Sequence, residues 1–109
     1  MQLKERLDPF TPRVSRDFRP WQNRDVSVRD LEDTLVIYDP QTLQAHVLSH
    51  TAARVWELCN GNRDAGEIVG WLADARGEAP EAVAPQVVET LEQLQQTRLV
   101  LGQPNGAGR

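Results

Sequence analysis

The sequence contains a single cysteine, Cys59, among its 109 residues. One thiol can neither close an internal disulfide nor supply a metal site built from several thiolates. A chain that does without disulfides is typical of a reducing compartment, so we expect a cytoplasmic protein. No basic residue adjoins Cys59 in the sequence to lower its pKa, and we therefore expect a buried thiol rather than a nucleophile.

Long apolar runs are also missing. No stretch approaches the roughly 20 apolar residues that a membrane-spanning helix needs, and the first six residues lack the apolar segment of a signal peptide. The apolar share of 39% is enough to fill one modest core. We therefore expect one small soluble domain without a large buried active-site cavity.

Basic residues are fewer than acidic ones, and the two kinds are unevenly spread. The chain has 12 Lys and Arg against 16 Asp and Glu, a net charge of -4. Residues 1–29 hold seven basic and four acidic side chains, whereas residues 30–109 hold five basic and twelve acidic ones. Duplex DNA and anionic membranes are bound mainly by clustered Lys and Arg. We therefore expect no nucleic-acid partner and no membrane partner.

The two ends of the chain lack the periodicity of helices and strands. Residues 1–24 are rich in Arg, Pro and isolated aromatic side chains, which predicts an extended basic tail. Residues 102–109 contain almost nothing to bury and are predicted to be disordered. The folded domain is therefore expected within residues 25–101. A basic tail beside an acidic body also suggests that the tail folds back over the domain or pairs with a second copy.

Three short strands are predicted in the first half of this domain. Val26–Leu31 alternates apolar and polar residues, and Thr34–Tyr38 is β-branched and aromatic. A third strand is expected over Gln44–Leu48, after a turn that contains Pro40. Strands joined by such tight turns indicate an antiparallel meander, in which the first and third strands lie at the edges.

Helical periodicity replaces the strand pattern beyond Ser49. The spacing of apolar residues predicts helices over Ala52–Cys59, Ala65–Arg76 and, from Pro80, to about Thr97. Arg98–Leu101 then reads as a short extended return onto the core. The expected fold class is α+β, with a three-stranded antiparallel β-meander followed by three α-helices.

These segments resemble a known family. The resemblance covers Val26–Leu101 and is most specific from His46 to Gly61. The chain is similar to the PqqD-like family of peptide chaperones, the precursor-peptide recognition elements of ribosomally made, modified peptides. The residues that carry the resemblance are Leu35-Val36-Ile37-Tyr38-Asp39, Ala45-His46-Val47-Leu48-Ser49, Thr51-Ala52-Ala53-Arg54-Val55-Trp56-Glu57-Leu58, Asn60-Gly61, Glu67-Ile68-Val69 and the stretch Leu91–Leu99.

The resemblance implies a winged-helix-like domain. It also implies a peptide-binding chaperone that captures the leader of a precursor peptide by β-strand addition and presents it to a peptide-modifying enzyme. The leader would pair antiparallel with the third strand and place side chains beside the third helix. Gln44–Ser49 contains no Lys, Glu or Pro to discourage such pairing, although the same edge could be satisfied by a homodimer. The implied peptide-binding residues are Gln44, Ala45, His46, Val47 and Leu48 on the strand and Val88, Leu91, Glu92 and Gln95 on the helix.

Other side chains fit ordinary structural roles better than chemical ones. Trp56 and Trp71 lie in or beside apolar helical stripes and are predicted to pack in the core. His46 and His50 are four residues apart, but they straddle a strand-to-helix junction and no acidic or thiol partner completes a metal site. The sequence has no nucleophile elbow and no glycine-rich phosphate loop. We therefore expect no catalytic residue, no metal, no cofactor and no enzymatic activity.

Two further functions are kept as alternatives. A winged-helix DNA-binding regulator would read DNA with the third helix, but Glu81–Gln96 carries three glutamates and no Lys or Arg, the wrong sign for phosphate. A structural subunit of an enzyme complex would contact the enzyme without touching a peptide. Leader-dependent binding distinguishes the adaptor from both.

Overall fold

The predicted strands and helices are all present in the computed structural model, which describes residues 8–32 and 34–102. The elements, in chain order, are β1 (Trp21–Gln22), β2 (Ser27–Leu31), β3 (Thr34–Asp39), β4 (Gln44–Leu48), α1 (His50–Leu58), α2 (Ala65–Arg76), α3 (Pro80–Gln96) and β5 (Val100–Leu101). Strands β2, β3 and β4 form an antiparallel sheet in that order, and the three helices follow it. The predicted α+β fold, a three-stranded meander followed by three helices, is confirmed.

The sheet has one face toward the core because apolar residues alternate along its central strand. Leu35 and Ile37 of β3 are buried, and they lie opposite Leu48 and His46 of β4. Residues directly opposite one another in antiparallel strands share a face. Leu48 and His46 therefore point to the helix side of the sheet, and Val47 points to the outer side, where it is 67% exposed.

The turn between β3 and β4 is held by Asp39. Its carboxylate oxygen accepts a hydrogen bond from the Gln41 N–H at 2.9 Å, and its carbonyl accepts from the Leu43 N–H at 2.8 Å. Leu43 takes a positive φ of 60° to close the turn. Since a shift of one residue would turn every side chain of β4 to the other face, this turn decides which side chains face the helices.

The helices begin where polar side chains cap them. The Ser49 hydroxyl accepts from the Ala52 N–H at 3.2 Å, so α1 starts at His50, two residues before the predicted start. Asp64 and Glu67 form a reciprocal capping box at the start of α2. The helix α3 begins at Pro80 and continues without interruption through Pro85.

The two helical tryptophans have different environments. Trp56 is buried as predicted, and its indole N–H donates to the Leu99 carbonyl at 2.9 Å. The prediction for Trp71 was wrong, because its side chain is 55% exposed. The buried stripe of α2 consists of Ala65, Ile68, Val69, Leu72 and Ala73. With 3.6 residues per turn, Trp71 falls on the opposite, outward side of that stripe.

An N-terminal segment completes the core. Val14 and Phe18 are fully buried, and the carbonyls of Arg16 and Phe18 accept hydrogen bonds from the Gly66 and Ala65 N–H groups at 2.9 and 2.8 Å. The first N–H groups of a helix have no partner within the helix. The segment therefore satisfies two donors at the start of α2 that the capping box does not reach.

The same segment closes the end of α1. The Gln22 N–H donates to the Cys59 carbonyl at 3.1 Å, and the Gln22 side-chain amide donates to the Trp56 carbonyl at 3.0 Å. Just beside these contacts, β1 pairs antiparallel with β5. The chain from Arg16 to Gln22 thus joins the end of α1, the start of α2 and the C-terminal strand.

These contacts correct the predicted extended tail for the part of it that is described. Residues 8–24 pack against the domain, and their hydrogen bonds go to the helix ends, α3 and β5. The apolar residues of this segment are not periodically spaced, because its backbone conformation is set by the helix ends to which it hydrogen-bonds. Residues 1–7 of that tail and residues 103–109 of the C-terminal tail lie outside the described residues.

No helix within residues 8–32 and 34–102 combines the length and the apolar character needed to cross a membrane.

Removing the Phe18 ring should destabilise the whole domain. Phe18→Ala leaves a cavity in the core, and we expect the free energy of unfolding to fall by about 3–5 kcal/mol. Val14→Ala should give a smaller loss of the same kind. Urea unfolding monitored by far-ultraviolet circular dichroism measures both.

The matched control is Arg13→Ala, a truncation of an exposed side chain in the same segment. We expect it to change the free energy of unfolding by less than about 0.5 kcal/mol. Equal urea midpoints for Phe18→Ala, Arg13→Ala and the unsubstituted protein would show that the segment is no part of the core.

Candidate functional site

A groove runs between the edge strand β4 and helix α3. Its volume is about 330 Å³. One wall is β4, the other is α3, and the start of α1 and the chain before β5 complete it. The lining residues are Ala45, His46, Val47, Leu48, Ala52, Thr90, Gln93, Leu94, Thr97 and Leu99.

The groove has an apolar floor and an uncharged polar rim. Leu48, Leu94 and Leu99 are each less than 10% exposed and form the apolar surface. Thr90 and Gln93 contribute hydroxyl and amide groups on the helix side. No Lys, Arg, Asp or Glu is among the described residues that line it. The groove is therefore suited to an apolar side chain with polar backbone around it rather than to a charged group.

The backbone of β4 adds hydrogen-bonding capacity to the groove. In the described sheet β4 pairs with β3 on one side and forms the edge on the other. An edge strand directs every second N–H and C=O group away from the sheet. A peptide in extended conformation can satisfy these groups while alternate side chains enter the groove.

The structure brings most of the predicted strand residues into this site. Ala45, His46, Val47 and Leu48 line the groove. Gln44 begins β4 opposite Asp39, beyond the lining residues.

The predicted helix residues lie elsewhere on α3. Val88 and Leu91 are buried in the core. Glu92 faces the N-terminal segment, where its carboxylate accepts from the Thr11 hydroxyl at 2.9 Å. Gln95 is half-buried, and its side-chain oxygen has no hydrogen-bond partner among the described residues. None of the four lines the groove.

The side chains of α3 that do line the groove form a neighbouring stripe: Thr90, Gln93, Leu94 and Thr97. They recur three and four residues apart, as one face of a helix requires. Both edges of the apolar stripe of α3 carry polar residues, so periodicity alone could not tell which edge meets β4. The structure distinguishes them, because Thr90 and Gln93 line the groove beside β4 and Glu92 accepts from Thr11 of the N-terminal segment.

The other reactive side chains fit no catalytic site. The Cys59 thiol is buried and donates to the Val55 carbonyl at 3.1 Å. Burial raises the pKa of this thiol from its ordinary value of 9.0 to about 12, and the positive charge of Arg63 lowers it by less. His46 lies in the groove, whereas His50 is exposed at the start of α1. In the part of the chain that the structure describes, no three His, Cys, Asp or Glu residues are grouped so that they could hold a metal ion.

Comparison with known families gives one match. The sequence model of coenzyme PQQ synthesis protein D (PqqD) matches residues 34–100, which is more than half of the chain and includes β3, β4 and all three helices. No curated protein sequence is significantly similar to this chain.

Solved structures share the fold. TbiB1, solved in complex with the TbiA(beta) leader peptide, is 19% identical with a TM-score of 0.65, over 82% of this chain and 99% of that one. The PqqD part of Methylobacterium extorquens PqqCD, described as a functional, stand-alone recognition element for ribosomally made and modified peptides, is 23% identical with a TM-score of 0.65, over 87% of this chain and 99% of that one. The heterocyclase TruD is 15% identical with a TM-score of 0.57, over 84% of this chain but 12% of its own.

The raised pKa of Cys59 has a consequence for stability. The native state holds the thiol protonated while the unfolded state ionises near pH 9, so the stabilisation is present below pH 9 and is lost as the pH rises toward 12. We expect the free energy of unfolding to fall by about 1 kcal/mol between pH 8 and pH 10 because of this one group. Urea unfolding at the two pH values measures it.

Cys59→Ala is the control, since it removes the thiol and should lack this part of the pH dependence. Reaction with a disulfide reagent at pH 8 gives a second readout, in which the native protein should react slowly and the unfolded protein quickly. Rapid labelling of the native protein would contradict a buried, protonated thiol.

Proposed function

The chain belongs to the PqqD family, and on that premise we propose that it is a peptide-binding adaptor. It binds the leader of a ribosomally made precursor peptide and presents the peptide to a modifying enzyme. The observation that carries the proposal is the position of β4 at the edge of the described sheet, beside the groove of α3. An edge that is open beside a shaped groove offers both backbone pairing and side-chain selection.

The leader adds a fourth strand next to β4. It runs antiparallel to β4, from the Leu48 end toward the Gln44 end, and continues past the turn at Leu43. Alternate leader side chains enter the groove, and the others join the outer face beside Val47. The main-chain hydrogen bonds supply affinity without regard to sequence, and the groove supplies the choice of side chain.

The groove favours an apolar anchor in the leader. Its floor of Leu48, Leu94 and Leu99 gains free energy by burying an aliphatic or aromatic side chain. A charged anchor would lose its hydration against an uncharged rim. Binding should therefore depend weakly on salt, in contrast to the recognition of nucleic acid.

Two relatives support this function. TbiB1 was solved with a leader peptide, and the PqqD part of the Methylobacterium extorquens protein is described as a functional recognition element. TruD, in which this fold makes up a small part of a heterocyclase, supports a modifying enzyme as the second partner.

The proposed adaptor performs no chemistry itself. Its groove offers no nucleophile paired with a base among the described residues, and the Cys59 thiol is protonated at neutral pH. The bonds of the precursor are then made and broken by the enzyme that receives it.

Filling the groove should weaken leader binding. Thr90→Trp places an indole between α3 and β4, and we expect the affinity for the leader to fall at least about tenfold, as for the loss of a hot-spot contact. The leader is the synthetic N-terminal part of the cognate precursor peptide, and isothermal titration calorimetry gives the affinity. Gln96→Trp, on an exposed position of the same helix, should leave it unchanged.

Amide chemical shifts test the mode of binding in the unsubstituted protein. Strand addition should move the amide signals of residues 44–49 more than those of the exposed strand β2. Leader titration that leaves these amides in place, with the protein folded, would refute strand addition.

The edge of α3 that contacts the leader can be tested by substitution. Gln93→Lys introduces a charge into the groove, and we expect the leader affinity to fall several-fold because the ammonium group must be desolvated. Glu92→Ala, which removes a side chain on the opposite edge, should leave the leader affinity unchanged. Calorimetry with the same leader measures both affinities. A loss of affinity in Glu92→Ala but not in Gln93→Lys would favour the helix edge predicted from the sequence.

A further inference from the structure

The outward face of α2 carries an exposed tryptophan in a setting that the fold does not explain. Glu67, Gly70, Trp71 and Asp74 recur three and four residues apart and lie opposite the buried stripe of the helix. We call these four residues the Trp71 surface. The Trp71 side chain is 55% exposed, and the guanidinium of Arg63 lies 4.9 Å from its ring centroid. The cation holds one side of the ring and leaves the rest accessible.

The ring of Trp71 stands between two depressions. The larger, of about 720 Å³, extends over Gly70 and Asp74 toward Glu78. The smaller, of about 140 Å³, lies between α1 and α2 and includes Leu58 and Leu72. Tryptophan is one of the residues most enriched in interface hot spots, and the depressions on both sides leave room for partner side chains against the ring.

Gly70 supplies an independent observation. A glycine inside a helix is less stable than an alanine, because it loses more backbone entropy on folding. A methyl group added at Gly70 would meet no atom within 4 Å, so no neighbour within the described fold requires the glycine. At Gly66 of the same helix the added atom would approach the Arg16 side chain to 3.0 Å. Gly70 therefore lowers helix stability without an intramolecular reason, and it leaves the floor of the larger depression bare.

The charges around the ring favour a basic partner. Three carboxylates, those of Glu67, Asp74 and Glu78, line the larger depression with the guanidinium of Arg63, which is stacked on Trp71. Glu78 is also 4.0 Å from the Arg76 guanidinium, so Glu67 and Asp74 supply most of the negative charge beside the ring. A Lys or Arg side chain of a partner would be attracted by the carboxylates, and an apolar neighbour of it would cover the ring.

The Trp71 surface and the leader groove lie against different faces of α1. Ala52 lines the groove, whereas Arg54 and Leu58 line the smaller depression beside Trp71. Residues two apart on a helix point about 200° apart around its axis. Both surfaces can therefore be occupied at once.

We propose that the Trp71 surface is the docking site for a basic, apolar patch on the peptide-modifying enzyme. The inference rests on the proposed function, since it takes the chain to be an adaptor with a second protein to hold. The carboxylates of the larger depression favour a positively charged partner surface. The absence of a side chain at Gly70 allows that surface to come close to the helix backbone.

The test uses the full chain and its purified cognate peptide-modifying enzyme, with affinity measured by biolayer interferometry. Trp71→Ala should weaken binding at least about tenfold, and Leu31→Ala, which truncates a comparably exposed side chain on β2, should not change it. Asp74→Lys should weaken binding more than Asp30→Lys, which makes the same change in net charge on the sheet.

Gly70→Ala separates docking from folding. The substitution should raise the midpoint of thermal unfolding by about 4 °C or more. It should nevertheless lower the affinity for the enzyme several-fold. A variant that is more stable and binds the enzyme as before would overturn the proposal, and so would an unsubstituted chain that does not bind the enzyme. A dimer that Trp71→Ala dissolves would assign the surface to a second copy instead.

Leader affinity in the same variants keeps the two proposals distinct. The adaptor function predicts that Trp71→Ala and Gly70→Ala bind the leader like the unsubstituted chain. Loss of enzyme binding with leader binding retained supports the docking site. An unsubstituted chain that binds the enzyme through Trp71 but binds no leader would remove the proposed function and leave the docking surface in place.

Discussion

The fold depends on backbone hydrogen bonds between the N-terminal segment and the ends of two helices. Carbonyls of Arg16 and Phe18 accept from the start of α2, and Gln22 donates to the end of α1. Helix termini carry unpaired polar groups that cost free energy when they are buried without partners. A domain this small has little core to offset such a cost. The N-terminal segment avoids this cost by pairing the polar groups of the helix ends, and it adds Val14 and Phe18 to the core. Strand β1 then pairs with the C-terminal strand β5.

Capping by the N-terminal segment has a consequence for the sheet. Residues 8–24 hydrogen-bond to helix ends and β5, and none of them lines the groove beside β4. An open edge is a liability in most proteins because it invites pairing with other chains. In an adaptor the same edge is the binding element. Val47 on its outer face and the bare rim of the groove are then the surfaces that a leader would bury.

Regular elements were predictable from the sequence, and irregular ones were not. Alternation in Thr34–Asp39 and caps at Ser49 and Asp64 act locally, so they mark β3, α1 and α2 without knowledge of the fold. The roles of Phe18 and Trp71 depend on distant partners. Phe18 has no periodic neighbours, and Trp71 stands one residue from a buried stripe. The groove edge of α3 was ambiguous for the same reason, since Thr90 faces β4 and Glu92 faces the N-terminal segment, and both partners are distant in sequence.

The position of α1 connects the two proposed interactions. Its start is capped by Ser49 beside the groove, its end is held by Gln22, and Trp56 ties it to the Leu99 carbonyl. A helix fixed at both ends transmits little motion, so the leader and the enzyme would be held at a constant separation. The reach of the precursor from groove to catalytic centre would then be set by the leader's own length beyond the turn at Leu43. An adaptor of this kind would orient its peptide through the placement of the groove relative to the Trp71 surface across α1.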